Sequence, residues 1–195
     1  MIQLTNIRFG IDIDGTVTSP TSLLPHINEA FKCNLQLEDI KEYDLTKAFP
    51  VSEKDFYEWF KKAESTIYAT SPIQPDAHAV LSAWKEKYEL YFISARGDNV
   101  MDVTLDWFKQ QELLYDHIEL IGSHNKIETA RKHGVHAFFE DKHDNAVEIS
   151  EELDIPVLLF NTPYNQLPVP SRVIRVNNWI EANKWIEKEF SMSIR

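Results

Sequence analysis

The sequence predicts an α/β protein built on a doubly wound parallel sheet, with a small helical cap inserted after the first strand. From residue 75 onward, strand-like apolar runs alternate with amphipathic helical segments, which is the order that βαβ units produce. Residues 16–73 carry helical patterns only and interrupt that alternation. We therefore expect a core made of residues 1–15 and 74–195, with residues 16–73 forming the inserted cap.

The first strand is predicted over residues 7–13, IRFGIDI, where every second residue is apolar. The dipeptide Asp14-Gly15 is a turn signal and ends the strand. Two helices follow, over residues 22–33 and 52–69, and the second begins with a Ser-x-x-Asp capping pattern. These helices constitute the predicted cap.

The segments after the cap alternate between helix and strand up to the end of the chain. Because parallel strands need long crossover connections, this alternation favours a parallel sheet with helices on its faces. The predicted helices cover residues 75–87, 99–111, 126–133, 145–153 and 178–190, and the predicted strands cover residues 90–94, 118–121, 137–140, 156–160 and 173–176.

The composition excludes several classes of protein. Of the 195 residues, 43% are apolar and 26% are charged, which is typical of a globular domain and not of a disordered chain. The net charge is −11 and no run of Lys or Arg exceeds a pair, so we expect neither nucleic acid nor a membrane as a partner. A single cysteine, Cys33, leaves no internal disulfide, and no signal peptide or membrane span is recognisable, so a cytoplasmic location is expected.

Polar residues follow the first four predicted strands at their carboxyl ends. In open parallel sheets these ends meet along one edge, and ligands bind there. The sequence therefore predicts one functional site assembled from four strand ends. Its candidate residues are Asp12, Asp14, Ser94, Ala95, Arg96, Lys126, Glu140 and Asp141.

Two of these carboxylates predict a cation site. Asp12 and Asp14 are two residues apart in the predicted strand, so their side chains should point the same way. Converging carboxylates repel each other and need a cation or a shared proton. Mg²⁺ prefers oxygen ligands, and a third carboxylate from the pair Glu140-Asp141 could complete its shell. Beside them, Lys126 supplies positive charge for an anion, and the hydroxyl of Ser94 can donate to a phosphoryl oxygen.

The same positions resemble the four motifs of the haloacid-dehalogenase-like superfamily. The motifs are DIDGT near the N-terminus, a serine after the second strand, a lysine at a helix start and an acidic pair after the fourth strand, and they occur here in that order. The resemblance spans nearly the whole chain and implies a Rossmann-like core whose helical insertion is the superfamily's first cap type. The second aspartate of DIDGT implies a phosphatase or phosphomutase, since dehalogenases acting on carbon generally lack it.

The resemblance implies a role for each motif residue. Asp12 would attack phosphorus and form a phosphoaspartate, and Asp14 would protonate the leaving oxygen and then activate water. Ser94 and the amide of Ala95 would hold the phosphoryl group, and Lys126 would neutralise its charge. Mg²⁺ would be held by Asp12, the backbone carbonyl of Asp14 and Asp141, with Glu140 nearby or acting through a water molecule.

A narrower resemblance is carried by SAR (94–96), FFEDKHDNA (138–146) and IPVLLFNTPYNQLP (155–168), which are similar to bacterial relatives of the cytosolic type C 5′(3′)-deoxyribonucleotidases. It implies nucleoside monophosphate substrates, with aromatic side chains of the cap holding the base, and the cap aromatics available for stacking are Phe49, Tyr57, Trp59 and Phe60. Their spacing alone favours a place for most of them in the cap's own core, and Arg96 could contact phosphate or order its loop. Two alternatives stay open: a phosphatase for a sugar phosphate or other small metabolite, and a non-catalytic binding protein on the same fold.

Overall fold

The computed structural model describes residues 7–190 and contains a central sheet of six parallel strands in the order β3-β2-β1-β4-β5-β6. The strands are β1 Arg8–Ile11, β2 Glu89–Ser94, β3 His117–Leu120, β4 Ala137–Glu140, β5 Val157–Phe160 and β6 Val173–Val176. Each neighbouring pair is parallel, and β1 lies between β2 and β4. The chain reverses its direction across the sheet between β3 and β4, so the carboxyl ends of β1, β2 and β4 form a crevice at this switch point.

Helices connect these strands. They are α1 Leu24–Phe31, α2 Glu53–Thr70, α3 Ala77–Lys85, α4 Met101–Gln110, α5 Ile127–His133, α6 His143–Leu153 and α7 Trp179–Phe190. Short 3-10 turns lie at Leu37–Asp39, Leu45–Lys47 and Asp98–Val100. Between residues 7 and 190, none of the helices has the length and apolar character needed to span a bilayer.

Both faces of the sheet are covered by helices. On one face, Phe139 packs against the rings of Trp84 in α3 and Trp179 in α7, with centroids 5.0 and 5.9 Å apart. Its neighbour Phe138 points to the opposite face and packs in a second cluster with Ala130 of α5 and Ile149 of α6. Buried side chains therefore alternate between two faces along the strand. This arrangement confirms the predicted α/β, doubly wound parallel sheet.

The segment between Thr16 and Ile73 contributes no strand to the sheet. It contains α1, two of the 3-10 turns and α2, and it has its own apolar cluster around Ile27, Ile40 and Phe49. Its two ends lie together, because Ser19 N donates to the carbonyl of Pro72 at 2.8 Å, and Thr18 forms an antiparallel bridge with Ile73. The segment therefore leaves and rejoins the core directly beside the end of β1.

The first strand is shorter than its apolar alternation predicts. β1 ends at Ile11, not at residue 13. The carbonyl of Ile13 accepts hydrogen bonds from the backbone of Val17 and Thr18, both at 2.9 Å, and these bonds turn the chain toward the cap segment. The prediction that Asp12 and Asp14 share a strand is therefore wrong. Ile13 is nevertheless fully buried, which explains why its apolar character extended the pattern beyond the strand.

Candidate active site

A cavity of about 390 Å³ lies between the carboxyl edge of the sheet and the cap segment. Three parts of the core reach it: the loop after β1, the loop after β2 and the N-terminus of α5. The residues that line it are Asp12, Asp14, Leu23, Tyr43, Asp44, Leu45, Phe56, Phe60, Tyr68, Ser94, Ala95, Arg96, His124 and Lys126. Six of the eight candidate residues from the strand ends therefore border one cavity, and Glu140 and Asp141 do not line it.

Lys126 lies between two buried carboxylates. Its ammonium nitrogen is 2.6 Å from Oδ1 of Asp12 and 3.0 Å from Oε2 of Glu140. Burial alone would lower the pKa of Lys126, but the charges of Asp12 and Glu140 raise it above its ordinary value, so the side chain is cationic. Burial also raises the pKa of Asp12, and the ammonium of Lys126 opposes that effect. The lysine thus stabilises the ionised form of Asp12 in a buried position.

Both carboxylate oxygens of Glu140 accept hydrogen bonds. Lys126 donates to both, and Asn145 of α6 donates from Nδ2 to Oε1. The side chain is fully buried, and burial raises its pKa well above the ordinary value against the opposing effect of Lys126. These contacts make Glu140 the group that holds the Lys126 ammonium in place.

Asp141 differs from Glu140, because one of its oxygens has no partner. Tyr164 donates its hydroxyl to Oδ2 at 2.5 Å, whereas Oδ1 is buried and accepts no hydrogen bond from the described residues. Burial raises the pKa of Asp141 to about 7, and the charge of Asp12 adds to the effect. In native proteins, a buried polar atom without a partner in the protein usually contacts an ion or a water molecule.

These three carboxylates can hold a hard cation. One oxygen each from Asp12, Glu140 and Asp141 lies within 4.8 Å of the others. An all-carboxylate donor set suits Mg²⁺, and the partnerless Oδ1 of Asp141 is the atom best placed to gain from it. The residues present therefore fit a magnesium ion.

Gly15 allows the β1 loop to pack against this cluster. Its φ of +77° lies in the left-handed region, and a Cβ built on it would stand 2.1 Å from Oδ2 of Asp141. The backbone can approach Asp141 only because this position has no side chain. Steric exclusion of a side chain thus explains the glycine of DIDGT, and the sequence alone does not reveal this.

Asp14 is held by Arg96 in a bidentate ion pair. Nε of Arg96 donates to Oδ2 at 2.8 Å and Nη2 donates to Oδ1 at 2.7 Å. The guanidinium is itself fixed, with Tyr68 stacked 3.9 Å from its centre and Thr104 accepting from Nη1 at 3.0 Å. This contact to Asp14 is neither of the two roles expected for Arg96, which were contact with phosphate and ordering of its loop. Arg96 therefore sets the direction in which the Asp14 carboxyl faces the cavity.

Ser94 and Ala95 form another part of the cavity wall. Ser94 is the last residue of β2 and is almost completely buried, and its Oγ accepts from the backbone N–H of Arg96 at 3.2 Å. Ala95 follows it on the same loop and lines the cavity. A hydroxyl and a backbone amide at this position can donate to a phosphoryl oxygen.

The aromatic residues of the segment 16–73 divide into two sets. Phe56, Phe60 and Tyr68 of α2 line the cavity, together with Tyr43 from the loop between the 3-10 turns. Phe49 and Trp59 do not line it, and each packs instead against Phe31, with ring centroids 5.3 and 5.2 Å apart. Phe56 and Phe60 are four residues apart, and Tyr68 lies eight residues after Phe60, so all three share one face of the helix. This spacing is the signal that the sequence offers for them.

His124 and Tyr164 are two further site residues outside the predicted set. His124 lines the cavity, and its pKa is lowered to about 4, first by burial and then by the charges of Lys142 and Lys126. It is therefore a neutral hydrogen-bonding group at pH 7. Tyr164 lies in the proline-rich loop after β5 and bonds Asp141 from 23 positions away. No local pattern marks such a contact.

Comparison with known proteins gives consistent results. Residues 6–190 match the family described as 5′ nucleotidase, deoxy (Pyrimidine), cytosolic type C protein. A candidate nucleotidase of Halalkalibacterium halodurans is 49% identical over 181 residues, covering 93% of each chain. A candidate nucleotidase of Bacillus subtilis is 43% identical over 189 residues, covering 97% of this chain and 98% of the relative.

Solved structures share the fold. A haloacid dehalogenase-like hydrolase from Streptococcus pneumoniae superposes with a TM-score of 0.66 at 14% identity, covering 93% of this chain and 98% of that one. A related hydrolase from Deinococcus radiodurans, solved with bound phosphate and sodium, gives a TM-score of 0.63 at 15% identity, covering 93% of this chain and 95% of that one. At these identities the likeness concerns the fold alone.

Proposed function

Because the chain belongs to the cytosolic type C 5′ nucleotidase family and is a phosphoric monoester hydrolase of the haloacid-dehalogenase-like superfamily, we propose that it hydrolyses nucleoside monophosphates with Mg²⁺ through a phosphoaspartyl intermediate on Asp12. The observation that carries the proposal is the contact of Lys126 with Asp12, 2.6 Å long, beside the partnerless Oδ1 of Asp141. The contact with Lys126 stabilises the ionised form of Asp12 in the cavity, and Oδ1 of Asp141 offers a ligand atom for a cation.

Asp12, Asp141 and the backbone carbonyl of Asp14 are the proposed magnesium ligands. Bound magnesium supplies charge neutralisation and orients the phosphoryl group. Glu140 was also a candidate ligand, but its oxygens already accept from Lys126 and Asn145. We therefore assign Glu140 to positioning Lys126.

The proposed reaction has two displacements at phosphorus. In the first, a carboxylate oxygen of Asp12 attacks, the bond to the leaving oxygen breaks, and Asp14 gives that oxygen a proton. In the second, Asp14 takes a proton from a water molecule that attacks the same phosphorus, which releases phosphate and restores Asp12. Lys126 and Ser94 hold the phosphoryl oxygens during both steps.

The shape of the cavity supports a nucleotide as the substrate. Its volume of about 390 Å³ extends from Asp12 to the rings of Phe56 and Phe60. Aromatic faces bind bases of any sequence by stacking, and neutral His124 adds a hydrogen-bonding group. We propose that residues 16–73 act as the cap that admits this substrate. The cytosolic description of the family supports a cytoplasmic location.

Phosphate release from a substrate panel tests the proposed substrate class. The panel contains ribo- and deoxyribonucleoside 5′- and 3′-monophosphates and, as comparison, sugar phosphates, all with Mg²⁺. We expect release from nucleotides in preference to sugar phosphates. A preference for sugar phosphates would favour the alternative of a metabolite phosphatase.

Substitution of the two aspartates tests the mechanism. Asp12→Asn should abolish turnover, whereas Asp102→Asn, at an exposed acidic position of α4, should retain it. Asp14→Asn should slow both displacements and allow phosphorylated protein to accumulate, which intact-protein mass spectrometry detects. Turnover by Asp12→Asn at the rate of the unsubstituted protein would rule out the covalent route.

A further inference from the structure

A group of two histidines and one glutamate lies outside the cavity, at the edge strand of the sheet. His117 and Glu119 are two residues apart on β3, so their side chains share one side of that strand. His133 is the last residue of α5, which runs back along the sheet from Lys126. We call these three residues the His–Glu–His cluster.

The two imidazoles converge on a single carboxylate oxygen. Nε2 of His117 is 3.2 Å from Oε2 of Glu119, and Nε2 of His133 is 2.9 Å from the same atom. Ligand atoms lie about 2.0–2.1 Å from a tetrahedral Zn²⁺ and therefore roughly 3.3 Å from one another. Both nitrogen–oxygen distances are within a few tenths of an ångström of that spacing, and one ligand atom from each of the three residues lies within 4.8 Å of the others.

Surrounding groups hold the cluster in this arrangement. The ring of Tyr91 lies against both imidazoles, with centroids 5.7 Å from His117 and 5.0 Å from His133. Thr129 donates its hydroxyl to Oε1 of Glu119 at 3.4 Å, so Oε2 is the oxygen turned toward the histidines. Outer contacts of this kind orient metal ligands in proteins.

The charge state of the cluster also suits a cation. A glutamate side chain that is 29% exposed is ionised at neutral pH, so Glu119 brings one negative charge to the cluster. The three side chains are 15–37% exposed, which gives an ion access from solvent. Lys132 competes for the same oxygen at 3.3 Å, but its side chain is 64% exposed and can swing into water.

We propose that His117, Glu119 and His133 bind a divalent transition-metal ion such as Zn²⁺, at a site separate from the carboxylate cluster of the active site. Imidazole nitrogen favours zinc, nickel and copper, whereas Mg²⁺ favours carboxylate oxygen. The two sites therefore differ in the ion that they select. One open coordination position is left for water or another small ligand.

Calorimetric titration of the full chain with Zn²⁺ tests the proposal. The protein is first freed of metal with a chelator and then saturated with Mg²⁺ to fill the active site. We expect one binding event that Mg²⁺ does not suppress. His117→Ala and His133→Ala should each weaken it by at least about tenfold. The matched control is His78→Ala, which removes an exposed histidine from α3.

Two further measurements make the result independent of folding defects. Co²⁺ in place of Zn²⁺ should give the visible absorption of a four-coordinate site in the unsubstituted protein. Lys132→Ala should tighten Zn²⁺ binding, because it removes a positive charge beside the ligand oxygen. The proposal is overturned if the magnesium-saturated protein binds no Zn²⁺, if both histidine variants bind it unchanged, or if Lys132→Ala weakens binding.

Discussion

Two adjacent acidic residues at the end of β4, Glu140 and Asp141, contact different partners. Both oxygens of Glu140 accept hydrogen bonds from Lys126 and Asn145, whereas Oδ1 of Asp141 is buried without a partner among residues 7–190. Leaving a buried acceptor unpaired costs about 1–3 kcal/mol, and more for a charged group. A cation would therefore stabilise the site most where it contacts Asp141, and the role proposed for Glu140 is to position the lysine.

This division predicts different kinetic defects for two conservative substitutions. Asp141→Asn should raise the Mg²⁺ concentration for half-maximal activity by about tenfold or more, because it weakens a direct ligand. Glu140→Gln should lower kcat through a misplaced Lys126 and leave the Mg²⁺ requirement unchanged. Phosphate release measured against Mg²⁺ concentration separates the two effects. Equal shifts in both variants would mean that Glu140 is also a direct ligand.

At the level of single residues, the sequence could predict which residues lie at the site but not which side chains pair with each other. Asp12, Ser94 and Lys126 line one cavity because the carboxyl ends of parallel strands share an edge. The pairing of Asp14 with Arg96 depends on rotamers and on burial across 82 positions of chain, which no local pattern encodes. No local pattern shows, either, which of the two acids Glu140 and Asp141 contacts Lys126 and which has an oxygen without a partner.

At the level of elements, hydrophobic periodicity located the regular helices and strands and missed the short turns. The helix predicted over residues 52–69 is α2 at Glu53–Thr70, and Ser52 caps it by accepting from the backbone of Asp55 at 3.1 Å. The strand predicted over residues 173–176 has those bounds. The 3-10 turns Leu37–Asp39 and Leu45–Lys47 were not predicted, because three residues are too few to show a period.

An indole of the core donates a hydrogen bond to the backbone directly after α2. Nε1 of Trp107 in α4 donates to the carbonyl of Ser71 at 2.8 Å, and both residues are buried. Trp107→Phe keeps most of the apolar surface but leaves that carbonyl without its donor, so we expect a loss of about 1–3 kcal/mol in the free energy of unfolding. For a chain of this size, the loss lowers Tm by roughly 2–12 °C in a thermal melt.

Trp185→Phe provides the matched control for this contact, because Trp185 of α7 is only partly buried. A melting temperature lowered equally by both substitutions would show that lost ring volume, and not the hydrogen bond to Ser71, accounts for the effect. We expect the larger drop for Trp107→Phe, because that substitution removes both buried ring volume and the donor to the carbonyl of Ser71.

At the scale of the whole molecule, the active site concentrates negative charge in the interior. Asp12, Glu140 and Asp141 are buried carboxylates, and Lys126 is the buried ammonium that faces Asp12 and Glu140. Three negative charges against one positive charge would leave an excess of two if all four groups were ionised. Because such an excess is unfavourable in a buried site, the fold must take up either protons or a cation.

Proton uptake makes the stability of the metal-free protein depend on pH. The pKa of Asp141 is about 7 in the folded chain against an ordinary value of 3.8. Between these values the folded state holds a proton that the unfolded state has released, so the free energy of unfolding falls as pH rises. We expect the chelator-treated protein to melt at a higher temperature at about pH 5 than at about pH 8.

Mg²⁺ should remove most of this dependence, because the ion takes the place of the proton. At a hundredfold excess over its dissociation constant, a ligand adds about 2.7 kcal/mol of stability, or roughly 5–11 °C in Tm for a chain of this size. The gain should be larger at pH 8 than at pH 5, where protons compete for the carboxylates, and it should be small in Asp141→Asn. A metal-free Tm that rises from pH 5 to pH 8 would contradict the coupling between the buried carboxylates and the fold.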